Sequence, residues 1–155
     1  MSVFPTIVLL ATDGSEDAKL AGTTAVELAN STSSELHVVF VTQLPSVPGA
    51  VSYWSGVPTG YPYTDAELED RIEQQARKLL DAEVEEVRSA GGEVAQAHLR
   101  IGDAAAEIVA LAEDIDAGLI VMGSRGLGGI RGALMGSVSE AVVRHAHCPV
   151  LVVRH

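Results

Sequence analysis

Short apolar runs alternate with stretches of helical period along the whole chain, and that alternation leaves few folds open. Thr6-Ile-Val-Leu-Leu-Ala11 is the first run, and Leu36-His-Val-Val-Phe-Val41 the second. Gly118-Leu-Ile-Val-Met122 and Pro149-Val-Leu-Val-Val153 have the same character, while Val94 to Leu99 alternates apolar and polar residues as a more exposed strand would. Continuous apolar runs mark strands covered on both faces. With a helix between each pair, the order is β-α-β-α-β-α-β-α-β. That pattern predicts an α/β domain, an open five-stranded parallel sheet with helices on both faces and right-handed crossovers. No internal repeat or linker interrupts it, so residues 1–155 read as one domain.

Local signals place the helices. Asp13-Gly14-Ser15 is a turn with capping chemistry before a helix over about 16–29, whose expected buried stripe is Leu20, Thr24, Ala25 and Leu28. The polar residues 30–34 are expected to form a loop. Thr64-Asp-Ala-Glu67 fits a capping box opening the longest helix, with Leu68, Ile72, Ala76, Leu79, Val84 and Val87 facing inward and Gly91-Gly92 as its stop. Asp103 caps a third helix through about Glu113, and a fourth spans Ser137 to His147 before Pro149. The segment 43–63 carries four of the six prolines and four of the six aromatic residues, so it is not regular structure throughout. Long loops of this kind are functional or mobile more often than short ones.

The net charge of −11, from 21 acidic and 10 basic residues, repels nucleic acids and anionic membranes. A small anion remains an acceptable ligand if main-chain amides or a metal ion supply local positive potential. Cys148 is the only cysteine, which precludes an internal disulfide and suits a reducing compartment. No stretch has the length and apolarity of a membrane span or a signal peptide, so the expectation is a soluble cytoplasmic protein.

The chemistry concentrates after the fourth strand. Gly123-Ser-Arg-Gly126 is followed by nine residues and then Gly136-Ser137. Glycines let a main chain approach a phosphate, and a helix beginning at Ser137 points its free amides at the same space. The carboxyl ends of strands are also where open α/β sheets hold ligands. Ser137-Val-Ser-Glu140 matches a capping box, so Ser137 is expected to cap the helix while donating its hydroxyl proton outward. Spacing alone leaves a cap without a ligand equally open. Both lysines, Lys19 and Lys78, lie elsewhere, which rules out a Walker A loop.

With these residues in place the chain resembles the nucleotide-binding universal stress proteins. Their signature is G-x2-G-x9-G-[S/T], and Gly123, Gly126, Gly136 and Ser137 match it without a gap. Thr12-Asp13-Gly14-Ser15 and the ending Cys148-Pro149-Val-Leu-Val-Val153 are similar too, and the likeness covers nearly everything outside 43–63. The resemblance implies a Rossmann-like sheet of order 3-2-1-4-5, as in the adenine nucleotide alpha hydrolases, with ATP across the carboxyl ends of the first, second and fourth strands. Ala11, Thr12, Asp13 and Val41 would line the adenine and ribose side. Met122, Gly123, Ser124, Arg125, Gly126, Gly128 and Gly129 would wrap the ribose and phosphates, and Gly136, Ser137, Val138 and Ser139 would hold the phosphates. Asp13 would lie near a phosphate-bound Mg²⁺. Ala11 departs from the family, where a proline or larger apolar residue often stands, which loosens the adenine packing expected there. The resemblance also implies a homodimer through the edge strand 149–153, whose apolar residues invite pairing.

Other chemistry is weaker. Phosphoryl transfer needs a base, a metal and a charge clamp, and Asp13 with Arg125 supplies only parts. Slow hydrolysis of ATP or a diadenosine nucleotide, cyclic AMP binding, and nucleotide-free dimerisation are the alternatives. His145 and His147 do not share a helix face, and His37 and His98 have no ligand-spaced partner in sequence. Cys148 has no recognisable base partner, and Ser15 and Ser137 lack a visible His–Asp set.

Overall fold

The structure is a computed structural model that describes residues 2–43, 65–124 and 136–154. Strand β1 (Ile7–Thr12) is followed by α1 (Glu16–Thr32), β2 (Glu35–Thr42), α2 (Asp65–Ser89) and β3 (Val94–Ile101). Then come α3 (Ala104–Asp114), β4 (Leu119–Gly123), α4 (Ser137–His145) and β5 (Val150–Val153). All pairings are parallel, and the strand order is β3-β2-β1-β4-β5, as expected.

The centre of the sheet is β1. Leu10 pairs with Val38 on one side and Val121 on the other. Alternation along the strands sends Val8, Leu10, Val38 and Val121 into a core under α1 and α2. Leu9, Ala11, Val39, Ile120 and Met122 face a second core under α3 and α4. Both faces of the central strands are therefore dry, which is why their sequences are apolar without interruption. The outer strands are wetter. In β3 no residue is fully buried.

Helix α1 corrects the expected stripe. Its buried side is Ala18, Ala21, Gly22, Ala25, Val26 and Ala29, whereas Leu20 is exposed. A helix lying close over the central strands has room only for small side chains. A Cβ on Gly22 would stand 3.7 Å from Leu10 Cδ2, in ordinary contact. The helix also runs on through Thr32. Within this polar stretch the Ser31 and Thr32 hydroxyls donate back to the carbonyls of Glu27 and Leu28 at 2.6 Å, so they are satisfied inside the helix. Ser33, at φ 56°, ends it with its amide on Ala29 O.

In α2 the inward row is Ile72, Ala76, Leu80, Val84 and Val87. Leu79, expected inside, is 45% exposed, one position off the row. The capping box at Thr64 and most of the aromatic segment lie outside the described residues. Asp103 caps α3 as expected, accepting from the Ala106 amide at 3.0 Å. Helix α4 ends at His145, two residues short of the expected His147.

Candidate functional site

A cleft of about 210 Å³ opens at the carboxyl ends of β1, β2 and β4, beside the N-termini of α1, α3 and α4. A single water needs roughly 10–15 Å³, so this space is of ligand size. Ala11, Thr12, Asp13, Val41, Met122, Gly123, Ser124, Gly136, Ser137, Val138 and Ser139 all line it. These are the expected site residues that the structure describes. Arg125, Gly126, Gly128 and Gly129 lie outside the described residues. Sequence reasoning missed Ser15, Ala18, Val39, Ala104 and Ile108. Val39 was accessible through the two-residue period it shares with Val41, and Ala104 and Ile108 through their i, i+4 spacing at the start of a helix.

The cleft has two unlike ends. Ala11, Val39, Val41, Met122 and Ile108 form an apolar wall, a surface suited to a flat ring. At the other end α4 begins. Its N-cap is Gly136, which has no side chain to accept from the first turn. This corrects the expectation that Ser137 caps the helix, because Ser137 is already the first helical residue and is exposed. Glycine takes the cap position, where it is tolerated at small cost. The amides of Ser137, Val138 and Ser139 consequently have no acceptor among the described residues, and the positive end of the helix faces the cleft.

The serine hydroxyls near this end are engaged elsewhere. Ser139, 2% exposed, points its hydroxyl at the carbonyls of Ser124 (2.9 Å) and Gly136 (3.0 Å). Ser124 donates to Asp17 Oδ2 at 2.7 Å. Among the described residues, what this end offers an anion is main-chain amide, together with the exposed Ser137 hydroxyl.

Gly123 has a packing reason of its own. A Cβ there would stand 2.8 Å from both the carbonyl carbon and the Cβ of Asp17, and 2.9 Å from the Ala18 amide nitrogen. The first turn of α1 thus lies directly on β4, and only glycine permits the approach. The turn after β1 is equally determined. Gly14 has φ +81°, the Ser15 amide donates to Asp13 Oδ1 at 2.9 Å, and Ser15 Oγ caps α1 by accepting from Ala18 N at 3.2 Å. Thr12 Oγ1 donates to Glu83 Oε2 at 2.9 Å, which ties this turn to α2.

Away from the cleft, His37 and His98 meet across β2 and β3. His37 Nδ1 is 3.1 Å from His98 Nε2, and His37 Nε2 is 3.2 Å from Glu35 Oε2. Burial lowers the His98 pKa, and the neighbouring His37 and Arg100 charges lower it further. Among the described residues no three His, Cys, Asp or Glu side chains are arranged to hold a metal ion. Burial raises the Cys148 thiol, which makes it a poor nucleophile. No helix among the described residues is long and apolar enough to cross a membrane.

Comparison with known proteins identifies relatives of this arrangement. The model of the universal stress protein family matches residues 6–154. A putative universal stress protein of Staphylococcus saprophyticus is 35% identical over 148 residues, covering 95% of this chain and 82% of the relative. A universal stress protein from Archaeoglobus fulgidus in complex with dAMP superposes with a TM-score of 0.62 at 26% identity, covering 98% of this chain and 99% of that one. A universal stress protein in complex with cAMP gives a TM-score of 0.68 at 24% identity, with 98% of each chain covered.

Proposed function

The chain belongs to the universal stress protein family, and we propose that it is a binding module for an adenine nucleotide, ATP in the first instance, held in the cleft described above. The observation that carries this reading is the polarity of the cleft, with an aliphatic slot at one end and, at the other, three helix amides that have no acceptor among the described residues. The base packs on Val39, Val41, Met122 and Ile108, with Ala11 leaving some slack. The phosphates take the place of the missing cap at Ser137, Val138 and Ser139, where a negative charge gains from both the amides and the helix dipole. Relatives that hold dAMP and cAMP support an adenine nucleotide as the ligand class.

Mg²⁺ fits as a companion of the phosphates rather than as a resident ion. Asp13 is the one acidic side chain lining the cleft among the described residues, and its Oδ1 already accepts from Ser15 N. Such a site suits a cation held mostly by phosphate oxygens and water. Binding rather than turnover is the activity proposed, because Asp13 and Arg125 would supply only parts of the base, metal and charge clamp that phosphoryl transfer needs. In this reading the protein works in the cytoplasm as a nucleotide-dependent regulator in stress responses. It is a homodimer joined along β5, which among the described residues pairs only with β4 and exposes Leu151. Leu151→Lys should shift its mass in light scattering from two chains to one.

Mass spectrometry of the supernatant after denaturing freshly purified protein tests the ligand assignment. An adenine nucleotide in near-stoichiometric amount is expected, with ATP outcompeting cAMP in titration. Absence of any nucleotide, together with no binding at millimolar ATP, overturns the proposal. Preference for cAMP replaces ATP but keeps the site.

A further inference from the structure

Ser124 stands one residue past β4 and is 1% exposed. Among the described residues four hydrogen bonds join it to three elements. Its amide donates to Val153 O, at the end of β5, at 2.8 Å. Its hydroxyl donates to Asp17 Oδ2, in the first turn of α1, at 2.7 Å. Its carbonyl accepts from the Gly136 amide and from Ser139 Oγ, at the start of α4. One buried residue thus fixes α1, β5 and α4 relative to the end of β4.

The Asp17 side of this knot is costly. Asp17 is 5% exposed, and moving a carboxylate out of water is unfavourable unless good hydrogen bonds compensate. A 2.7 Å hydroxyl–carboxylate bond is of the short, charge-assisted kind, and the first turn of a helix favours an acid. Well-packed apolar residues often fill such positions at no loss of stability. What apolar packing does not supply is direction. The hydroxyl bond orients Ser124, and the Ser124 carbonyl then sets where Gly136 and Ser139 lie. Those two residues bracket the amides that face the cleft.

We infer that Asp17 and Ser124 are a positioning pair for the phosphate end of the cleft: the carboxylate of α1 holds Ser124 so that the uncapped amides of α4 stand at the height a phosphate requires. The inference rests on the nucleotide reading above. Neither side chain is assigned a contact with the ligand. The pair acts on the phosphates only, because the aliphatic slot for the base is built from β1, β2, β4 and α3 and does not depend on it.

The test is a comparison of two ligands. Affinities for ATP and for adenosine are measured by calorimetry on the full chain, for wild type and for Ser124→Ala, Asp17→Ala and Asp17→Asn, with thermal unfolding recorded for each. The two alanine variants should lose about tenfold in ATP affinity, the worth of one good hydrogen bond, with adenosine affinity unchanged. Asp17→Asn, whose amide oxygen still accepts from the hydroxyl, should keep most of the ATP affinity and guards against loss of folding in the harsher variants. Equal losses for both ligands would mean a purely structural role and would overturn the inference, as would ATP affinity that does not respond. Wild type that binds neither ligand overturns the nucleotide reading itself, and the inference with it.

Discussion

The cluster around Ser124 and the cluster around His37 both bring a carboxylate and its donors to the sheet, but they are built from different materials and sit in different surroundings. The first lies at the carboxyl ends of the central strands, is almost fully enclosed, and consists of hydroxyls, amides and carbonyls about Asp17. The second lies on β2 and the edge strand β3, where Glu35 is 65% exposed and two imidazoles share a hydrogen bond. Hydroxyls and amides keep their protonation state across the physiological range, whereas an imidazole changes charge between about pH 5 and 8. The fold therefore holds one polar cluster that is closed in by packing and another that carries imidazoles and opens to solvent at Glu35. The enclosed one borders the cleft.

The sharpest way to break the first cluster is to remove its closure. Gly123→Val places a branched side chain where even a Cβ lies 2.8 Å from the backbone of Asp17. Overpacking against backbone costs about 3 kcal/mol or more, so the melting temperature should fall by on the order of 10 °C in a chain of this size. A change of one or two degrees in calorimetry would mean that α1 is free to move off β4.

The second cluster should respond to pH near neutrality through its imidazoles. The folded pKa of His98 is lowered from its ordinary value of 6.5, so the native state binds fewer protons there than the unfolded chain. The stability this contributes is present above about pH 6.5 and is lost as pH falls below it. His37 from β2 and Arg100 from β3 act on the group directly; Glu35 is bonded to His37, and Glu107 and Asp114 from α3 are paired to Arg100. Two protonated rings with nitrogens 3.1 Å apart would repel, whereas a single proton can be shared toward Glu35. His98→Gln should therefore melt with a shallower dependence on pH between 7.5 and 5.5 than wild type. Parallel curves would remove the proton from this comparison.

The smallest effect marks the floor against which both clusters are measured. Arg144 and Glu140 form an i, i+4 pair at 2.8 Å, with side chains 67% and 58% exposed. Arg144→Ala should change stability by no more than about 0.5 kcal/mol, which chemical denaturation can resolve from zero only with care. A larger loss would show that α4 depends on its surface as well as on its anchorage to Ser124.

The comparison also separates what the amino-acid order reveals from what it hides. The strand cores, the β1 turn at Asp13-Gly14-Ser15 and the start of α4 were legible because their signals are local: apolar runs, a capping serine, paired glycines. The Asp17–Ser124 bond joins positions 107 residues apart and follows no motif. The His37–His98 contact depends on the register of β2 against β3, which shifts between Leu36 and His37. Side-chain size misled in α1, where Leu20 promised burial but the close approach to the sheet selected alanine and glycine. At α4 the pattern Ser-x-x-Glu placed the cap one residue late, because Gly136 leaves no side-chain signal to read.

The central position of β1 has a kinetic corollary. Leu10 pairs with Val38, a near neighbour along the chain, and with Val121, a distant one. Closing the short loop is entropically cheap and closing the long one is slow, so β4 should dock on a β1–β2 unit already formed. The space between β1 and β4 then exists only once folding is nearly complete. A nucleotide that lodges there would recognise the finished molecule and no earlier species. At a hundredfold excess over its dissociation constant it would hold the chain folded by about 2.7 kcal/mol.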